Sequence, residues 1–188
     1  MPSRRLILAS ASPRRARILE SLGLSFEISP ADVDESLLPG EAPRAAVRRL
    51  ARRKALVPPR KGSDCVIAAD TVVVVGSKIL NKPEDAADAR RMLRSLSGRT
   101  HTVMTGVSVA WGLKVATLVD VTEVRFRKMD EGEIARYVRT GEPMDKAGAY
   151  HVEGGGAAFI ESIHGSPSNV AGLSVTSTRR LLKRAGVL

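Results

Sequence analysis

Asp70 is the residue of this sequence that hydrophobic packing accounts for least well. It lies inside an apolar run, Val66–Val75, that reads as a buried strand. A buried carboxylate loses several kcal/mol of hydration energy unless it is paired or binds a cation. A role as metal ligand or general base would explain Asp70, and so would a structural hydrogen-bond network.

A second candidate for chemistry is the segment Ser10-Ala11-Ser12-Pro13-Arg14-Arg15. Ser12 followed by Pro13 is typical of a helix N-terminus, where free backbone N–H groups bind phosphate readily. The hydroxyls of Ser10 and Ser12 and the guanidinium groups of Arg14 and Arg15 would strengthen such a site. A plain capped helix with exposed arginines explains the same spacing.

Two lysines stand at positions where they could supply point charges to an anion. Lys54 falls on the apolar face of a predicted helix, and Lys82 lies in a loop before Pro83. Either ammonium group could instead reach solvent along its flexible side chain. Together with Asp70, the two lysines are candidates for binding a phosphate chain.

Asp145 and Lys146 open a segment that continues through Tyr150 to Glu153 and a run of three glycines. Charged residues beside a flexible glycine loop suit a lid or a base-recognition loop. A surface turn is the simpler reading, and spacing alone favours it. The three histidines lack metal-ligand spacing, and no zinc, serine-hydrolase or P-loop motif is present.

The elements around these residues alternate between strands and helices. The apolar patterns predict strands at Arg5–Ala9, Phe26–Ser29, Val66–Val75 and Phe159–Ile163, and a hairpin of Val103–Trp111 with Lys114–Phe126 around Gly112. They predict helices at Pro13–Leu22, from Pro43 through Lys54, at Pro83–Leu96, at Glu131–Thr140 and at the basic C-terminus. This order indicates an α/β fold with a mixed sheet.

Composition limits the class of protein. A chain of 188 residues fits a single domain, 1–188, and its one cysteine, Cys65, cannot form an internal disulfide, which favours a reducing compartment. The apolar start, Leu6 to Ser10, is too short for a signal peptide, so we expect a cytoplasmic protein without a membrane partner. The net charge of +10 indicates an anionic partner, and the 3% aromatic content disfavours stable nucleic-acid binding.

Eight collinear segments of the chain together resemble the Maf family. They are Leu8-Ala9-Ser10-Ala11-Ser12-Pro13-Arg14-Arg15, Asp34-Glu35, Leu50-Ala51 to Lys54-Ala55, Ala69-Asp70-Thr71-Val72, Lys82-Pro83, Ser97-Gly98 with His101, Asp145-Lys146-Ala147-Gly148-Ala149-Tyr150, and Asn169-Val170 before Gly172-Leu173. The resemblance implies an elongated mixed β-sheet flanked by helices, with two lobes around a cleft, as in inosine triphosphate pyrophosphatases. It also implies hydrolysis of a nucleoside triphosphate substrate between its α- and β-phosphates, with Mg²⁺ or Mn²⁺. A homodimer is compatible with it.

The resemblance also assigns roles to single residues. It makes Asp70 the catalytic base and, with Glu35, the holder of the metal. It gives phosphate binding to four residues, which are Ser10, Arg15, Lys54 and the catalytic Lys82. It ties substrate choice to Arg14, Thr71 and Glu153.

Three of the matching segments resemble the branch of the family that acts on dTTP and UTP, which is our first expectation. Glu153 departs from that branch, where glutamine is usual, and resembles the branch acting on 7-methyl-GTP. An ionised glutamate accepts hydrogen bonds but donates none, so it changes which base edge can be read. A modified-purine pyrophosphatase is therefore the alternative. A non-catalytic basic nucleic-acid-binding module is a distant one, which leaves Asp70 and the acidic loop around Glu35 unexplained.

Overall fold

The computed structural model describes residues 4–188, which form seven β-strands and six α-helices. The strands are β1 (Leu6–Leu8), β2 (Glu27–Ile28), β3 (Cys65–Val75), β4 (Lys78–Leu80), β5 (Thr100–Trp111), β6 (Lys114–Phe126) and β7 (Ile160–His164). The helices are α1 (Pro13–Ser21), α2 (Pro43–Leu56), α3 (Ala86–Leu96), α4 (Glu131–Arg139), α5 (Pro167–Val170) and α6 (Val175–Arg184). None of these helices is both long and apolar enough to cross a membrane.

All seven strands belong to one mixed sheet. Its order is β2-β1-β3-β5-β6-β7, and β4 pairs with β3 beside this path. β1 is parallel to both β2 and β3, whereas β4 is antiparallel to β3 and β7 is antiparallel to β6. β5 and β6 are neighbours joined by a two-residue turn, a connection that only antiparallel strands allow. The predicted α/β fold with a mixed sheet and flanking helices is confirmed.

The chain divides into two compact units. The first unit contains the chain up to Asp70, together with Thr105–Asp120 and Gly172–Leu188. The second unit contains Thr71–Met104 and Val121–Ala171. Three of the four boundaries fall within β3, β5 and β6, and the fourth lies between α5 and α6. A single domain over residues 1–188 stays a prediction.

The two units have cores of different character. One cluster in the first unit is built from small and β-branched side chains, namely Ile7, Ala9, Ala55, Val66, Ala68 and Ala110. The core of the second unit is larger and contains the aromatic side chains of Phe126, Tyr137, Tyr150 and Phe159. Small side chains let α2 and the strands approach closely, whereas aromatic side chains fill a wider space.

Most of the predicted helix ends are correct. α1 begins at Pro13 after Ser12, and Gly23 follows it with a φ of +72°, as a C-terminal glycine does. α4 begins at Glu131, as predicted, and a capping box between Asp130 and Glu133 marks its start. The predicted start of α3 at Pro83 is wrong by three residues. The Asp85 carboxylate accepts the Asp88 N–H at 2.7 Å, so the helix begins at Ala86.

Candidate active site

Lys54 holds two carboxylates at the centre of a charged cluster in the first unit. Its Nζ lies 2.6 Å from Asp70 Oδ1 and 2.7 Å from Glu35 Oε1. The side chains of Lys54 and Asp70 are each 8% exposed, whereas that of Glu35 is 54% exposed. The buried ammonium group offsets the cost of burying Asp70, and the cluster reaches solvent at Glu35.

Close packing of α2 on β5 determines where Lys54 lies. Val47, Leu50, Ala51 and Lys54 form part of the buried face of α2, as their spacing predicted. At Gly106 of β5, an added Cβ would clash with the carbonyl oxygen of Val47. The backbones of α2 and β5 are therefore in contact. This contact places the last turn of α2, and with it the Lys54 side chain, beside Asp70.

Two arginines of α2 hold the loop that carries Glu35. Arg49 binds Glu41 through two hydrogen bonds of 2.7 and 2.6 Å and donates a third to the Ser36 carbonyl at 3.0 Å. Arg53 donates to the Asp34 carbonyl at 3.2 Å. The arginine pattern of α2 reads as a solvated face in the sequence. In the structure these two side chains place the backbone on both sides of Glu35.

Arg15 adds a second cation to the cluster. Its Nη1 donates to Ser10 Oγ at 3.1 Å, and its Nε donates to the Gly172 carbonyl at 2.9 Å. Burial lowers the pKa of the Arg15 guanidinium, and the positive charge of Arg14 lowers it further. The negative charges of Asp70 and Glu35 oppose this shift. The two carboxylates that pair with Lys54 therefore also interact electrostatically with Arg15.

The junction between β1 and α1 differs in one detail from its expected form. Ser12 is the N-cap residue, but its hydroxyl makes no capping hydrogen bond. Instead the Ser12 N–H donates to Ser10 Oγ at 3.2 Å, so Ser10 joins the helix start to Arg15. Arg14, in the first turn of α1, is partly buried. The first unit therefore brings together Ser10, Arg15, Glu35, Lys54 and Asp70.

The remaining candidates belong to the second unit. Lys82 is exposed in the loop after β4, and Thr71 follows Asp70 along β3 and is partly buried. Lys146 is buried, forms an ion pair with Asp145 and donates to the Glu142 carbonyl at 2.7 Å. The Glu153 side chain is 54% exposed. The Lys146 ammonium group is thus bound by neighbouring residues of its own turn, whereas the side chains of Lys82 and Glu153 are exposed to solvent.

The sequence did not single out a buried network beside Glu153. Glu142 Oε1 lies 3.3 Å from His151 Nδ1 and accepts the Gly155 N–H at 3.3 Å. The backbone N–H of His151 donates to the Tyr137 hydroxyl at 3.0 Å. The three consecutive glycines were the available signal, because they allow the backbone to approach such a network closely.

His101, part of the family resemblance, lies in the core of the second unit. Its Nε2 is 2.9 Å from the Tyr150 hydroxyl, and its ring packs edge-on against Phe126 and Tyr150. Burial lowers the pKa of His101 to about 4, so the ring is neutral at pH 7. His101 therefore fits a packing role.

The family resemblance implies Mg²⁺ or Mn²⁺, and the oxygen ligands that such an ion requires would come from the carboxylates of the first unit. Within residues 4–188, no group of three or more His, Cys, Asp and Glu side chains could hold a metal ion by itself. Glu35 and Asp70 nevertheless converge on a single cationic atom, Lys54 Nζ. Mg²⁺ commonly takes only one or two carboxylates and completes its shell with substrate phosphates and water. These two carboxylates fit a metal that binds together with a nucleotide.

Comparison with known proteins places this geometry in context. A family model for Maf-like proteins matches residues 5–185. The dTTP/UTP pyrophosphatase of Anaeromyxobacter dehalogenans is 54% identical over 187 residues, covering 97% of this chain and 94% of that protein. The dTTP/UTP pyrophosphatase of Aquifex aeolicus is 45% identical over 185 residues, covering 98% of this chain and 97% of that protein.

Among solved structures, a HAM1 protein from Coxiella burnetii is similar to this chain with a TM-score of 0.48. It is 16% identical, and the match covers 98% of each chain.

Proposed function

Since the chain belongs to the family of Maf-like proteins, we propose that it hydrolyses dTTP and UTP to the nucleoside monophosphate and pyrophosphate. This makes it a nucleoside triphosphate diphosphatase, a hydrolase acting on acid anhydrides. The observation that carries the proposal is the convergence of Glu35 and Asp70 on Lys54 Nζ. Arg15 adds a second cation, whose pKa is lowered by burial and raised by the charges of both carboxylates. Two cations and two carboxylates, with Lys54 and Asp70 buried and Glu35 open to solvent, are suited to a phosphate chain and an attacking water.

The cations of the first unit would bind and orient the phosphates. Arg15 presents a planar guanidinium group already oriented by Ser10 and Gly172, and guanidinium groups bind phosphate through two parallel hydrogen bonds. Lys54 supplies a compact point charge beside it. Both groups would offset the negative charge that develops on the phosphate oxygens during hydrolysis.

Asp70 would serve as the general base. Its carboxylate takes a proton from water while the water oxygen bonds to the α-phosphorus, and the bond from that phosphorus to the α–β bridging oxygen breaks. Pyrophosphate leaves with the electron pair of that bond. Burial beside Lys54 keeps the Asp70 side chain in a single position, which favours proton transfer over a short distance.

Glu35 and Asp70 are the residues that would hold a divalent metal, Mg²⁺ or Mn²⁺. When bound, such an ion neutralises phosphate charge and polarises the phosphoryl group. The partial exposure of Glu35 supports this assignment, because the ion arrives with the nucleotide from solvent. Lys82, exposed in its loop, would contribute a further phosphate contact.

Glu153 supports a second candidate substrate, 7-methyl-GTP. The Glu153 side chain is 54% exposed and follows the Glu142–His151 network. An ionised carboxylate accepts two hydrogen bonds, and a guanine-type base offers two adjacent donors on its Watson–Crick edge. Both candidates keep the same reaction and differ only in the base.

The binding of nucleic acid is less well supported than either candidate. Aromatic residues, on which nucleic-acid bases stack, make up only 3% of the chain. Six of its 22 arginines also form ion pairs with carboxylates, namely Arg5, Arg49, Arg91, Arg94, Arg125 and Arg127. We assign the protein to the cytoplasm, a reducing compartment that suits its single buried thiol, Cys65.

A substrate panel tests the proposal. Pyrophosphate release would be measured for dTTP, UTP, dCTP, GTP, ITP and 7-methyl-GTP, each with Mg²⁺, with Mn²⁺ and with a chelator. We expect the highest kcat/KM for dTTP and UTP and loss of activity with the chelator. Absence of pyrophosphate release from every nucleotide would overturn the proposal, and a preference for 7-methyl-GTP would establish the alternative.

A further inference from the structure

His151 lies between two carboxylates in the second unit. Its Nδ1 is 3.3 Å from Glu142 Oε1, and its Nε2 is 4.0 Å from Glu153 Oε2. The His151 side chain is only 15% exposed, whereas Glu153 is 54% exposed. The imidazole therefore lies between a partly buried carboxylate and a more exposed one.

The environment of Glu142 determines how the imidazole is oriented. Burial raises the pKa of the Glu142 carboxyl, but hydrogen bonds from the Tyr137 hydroxyl, the Gly155 N–H and His151 outweigh that effect, so the pKa lies below its usual range. An ionised carboxylate only accepts hydrogen bonds, so the proton of this contact is on His151 Nδ1. Among the described residues, His151 Nε2 is buried and has no hydrogen-bond partner. The carboxylate oxygen Oε2 of Glu153 lies 4.0 Å from it.

The glycines after Glu153 fit closely around this array. A Cβ added at Gly154 would clash with both Glu142 Oε1 and His151 Nδ1. A Cβ added at Gly156 would lie 2.8 Å from the backbone nitrogen and the carbonyl oxygen of His151. The turn that follows Glu153 therefore packs closely against the Glu142–His151 pair.

We propose that His151 is a positioning residue for base selection, held by Glu142 and acting through the carboxylate of Glu153. This inference rests on the proposed function and on contact between Glu153 and the nucleotide base. As an imidazolium, the one form that donates from both ring nitrogens, His151 would hold Glu142 through Nδ1 and draw Glu153 Oε2 toward Nε2, which leaves the other carboxylate oxygen to meet the base.

The chemistry of the bases gives the direction of the effect. The imide edge of thymine and uracil carries one N–H donor between two carbonyl acceptors, which a single carboxylate oxygen satisfies. A guanine-type edge carries adjacent N1–H and N2–H₂ donors, which two carboxylate oxygens satisfy. With His151 in place, Glu153 offers one oxygen and suits the imide. Without it, Glu153 offers both oxygens and suits 7-methyl-GTP.

Two matched substitutions separate this role from simple packing. The side-chain amide of His151→Gln reaches the position of Nε2 and keeps a donor toward Glu153. The amide of His151→Asn reaches only the position of Nδ1. We expect His151→Asn to lower the ratio of kcat/KM for dTTP to kcat/KM for 7-methyl-GTP by about fivefold, the scale of a half-exposed ion contact. His151→Gln should keep the ratio within about twofold of the wild type.

A double-mutant cycle makes the test decisive. In a Glu153→Ala background, His151→Asn should leave the substrate ratio unchanged, because its effect passes through Glu153. Equal changes in both backgrounds, or equal effects of the Asn and Gln variants, would overturn the inference. Glu142→Gln, which preserves volume but not charge, should shift the ratio in the same direction as His151→Asn and serves if that variant does not fold. If the wild-type protein hydrolyses no nucleotide, the proposed function itself fails, a result distinct from a wild-type enzyme that is active but lacks the coupling.

Discussion

The first unit buries an ion pair, Lys54 with Asp70, whereas the second unit buries His101 and Tyr150 as neutral partners. Burial lowers the pKa of His101 to about 4 and raises the pKa of the Tyr150 hydroxyl, so neither side chain carries charge at pH 7. Lys54 is in contact with two carboxylates, and one of them, Glu35, remains open to solvent.

This difference separates a site from a core. A neutral hydrogen-bonded pair with aromatic neighbours costs less to bury than a charged pair and has no charge to offer a substrate. A buried ion pair is often less stable than an apolar replacement of the same volume, so stability alone does not account for it. Buried polar groups therefore indicate function most clearly where they keep charge within reach of solvent.

Replacing Asp70 should produce the largest change in activity. Asp70→Asn keeps the side-chain volume but removes the base and the partner of Lys54. We expect turnover on dTTP to fall at least about a hundredfold, as for a lost general base, while circular dichroism shows an intact fold. Near-normal turnover in the folded variant would make the Lys54–Asp70 pair structural, like the neutral pair of the second unit.

Asp64 provides a matched control for this substitution. It is another buried aspartate of the first unit, paired with Arg5 at 2.8 Å and outside the Lys54 cluster. The Arg5 hydrogen bond lowers the pKa of Asp64, so Asp64→Asn should reduce thermal stability. Its kcat should stay within about twofold of the wild type, since surface and structural pairs act on stability rather than on chemistry.

Glu153→Gln should change specificity more than rate. Glutamine restores a hydrogen-bond donor beside an acceptor, which suits the imide edge of a pyrimidine. A mismatch at a recognition site costs about 1–3 kcal/mol, so the ratio of dTTP or UTP to 7-methyl-GTP hydrolysis should rise by roughly tenfold. Steady-state kinetics on both nucleotides measures this ratio. An unchanged ratio would mean that Glu153 does not contact the base.

Lys82→Ala should weaken phosphate binding by a smaller amount. Lys82 is exposed in a loop, so its contact with phosphate is screened by water, and we expect KM for dTTP to rise by about fivefold. Lys78→Ala removes another exposed lysine of the same unit, from β4, and should leave KM unchanged. Equal kinetics for the two variants would make Lys82 an ordinary surface charge.

Protonation of His101 should lower the free energy of unfolding in acid, and replacing His101 should leave turnover at pH 7 almost unchanged. The unfolded chain takes up a proton on this residue near pH 6.5, but the folded chain does so only near pH 4. The free energy of unfolding should therefore fall by about 2 kcal/mol between pH 7.5 and pH 5 from this residue alone. Urea unfolding of His101→Gln should show a shallower dependence on pH than the wild type. Parallel curves would mean that His101 titrates normally in the fold.

Much of the fold was predictable because its signals are local. Four residues at helical spacing identified the buried face of α2, including Lys54, and Gly23, Gly112 and Gly141 mark chain reversals with positive φ angles. The start of α3 was misplaced because Pro83 is a common first helical residue, whereas the Asp85 side chain forms the cap. The sequence alone does not show which of these two helix-start signals, Pro83 or Asp85, is used, because the choice depends on the backbone conformation.

The site was predictable only as a set of residues. Asp70 and Lys54 were each identified from their apolar surroundings, but their contact across 16 residues depends on how closely α2 packs at Gly106. Arg53 looked like part of a solvated face because its target is a backbone carbonyl in the Glu35 loop. Such long-range hydrogen bonds leave no periodic signature in a sequence.

Product analysis with dTTP tests the central claim most directly. Wild-type protein would be incubated with dTTP and Mg²⁺, and the products would be separated by ion-exchange chromatography and quantified during the initial phase of the reaction. We expect dTMP and pyrophosphate in equal amounts, because the charged cluster of the first unit is assigned to cleavage between the α- and β-phosphates. Release of dTDP and inorganic phosphate, or recovery of intact dTTP, would contradict this account.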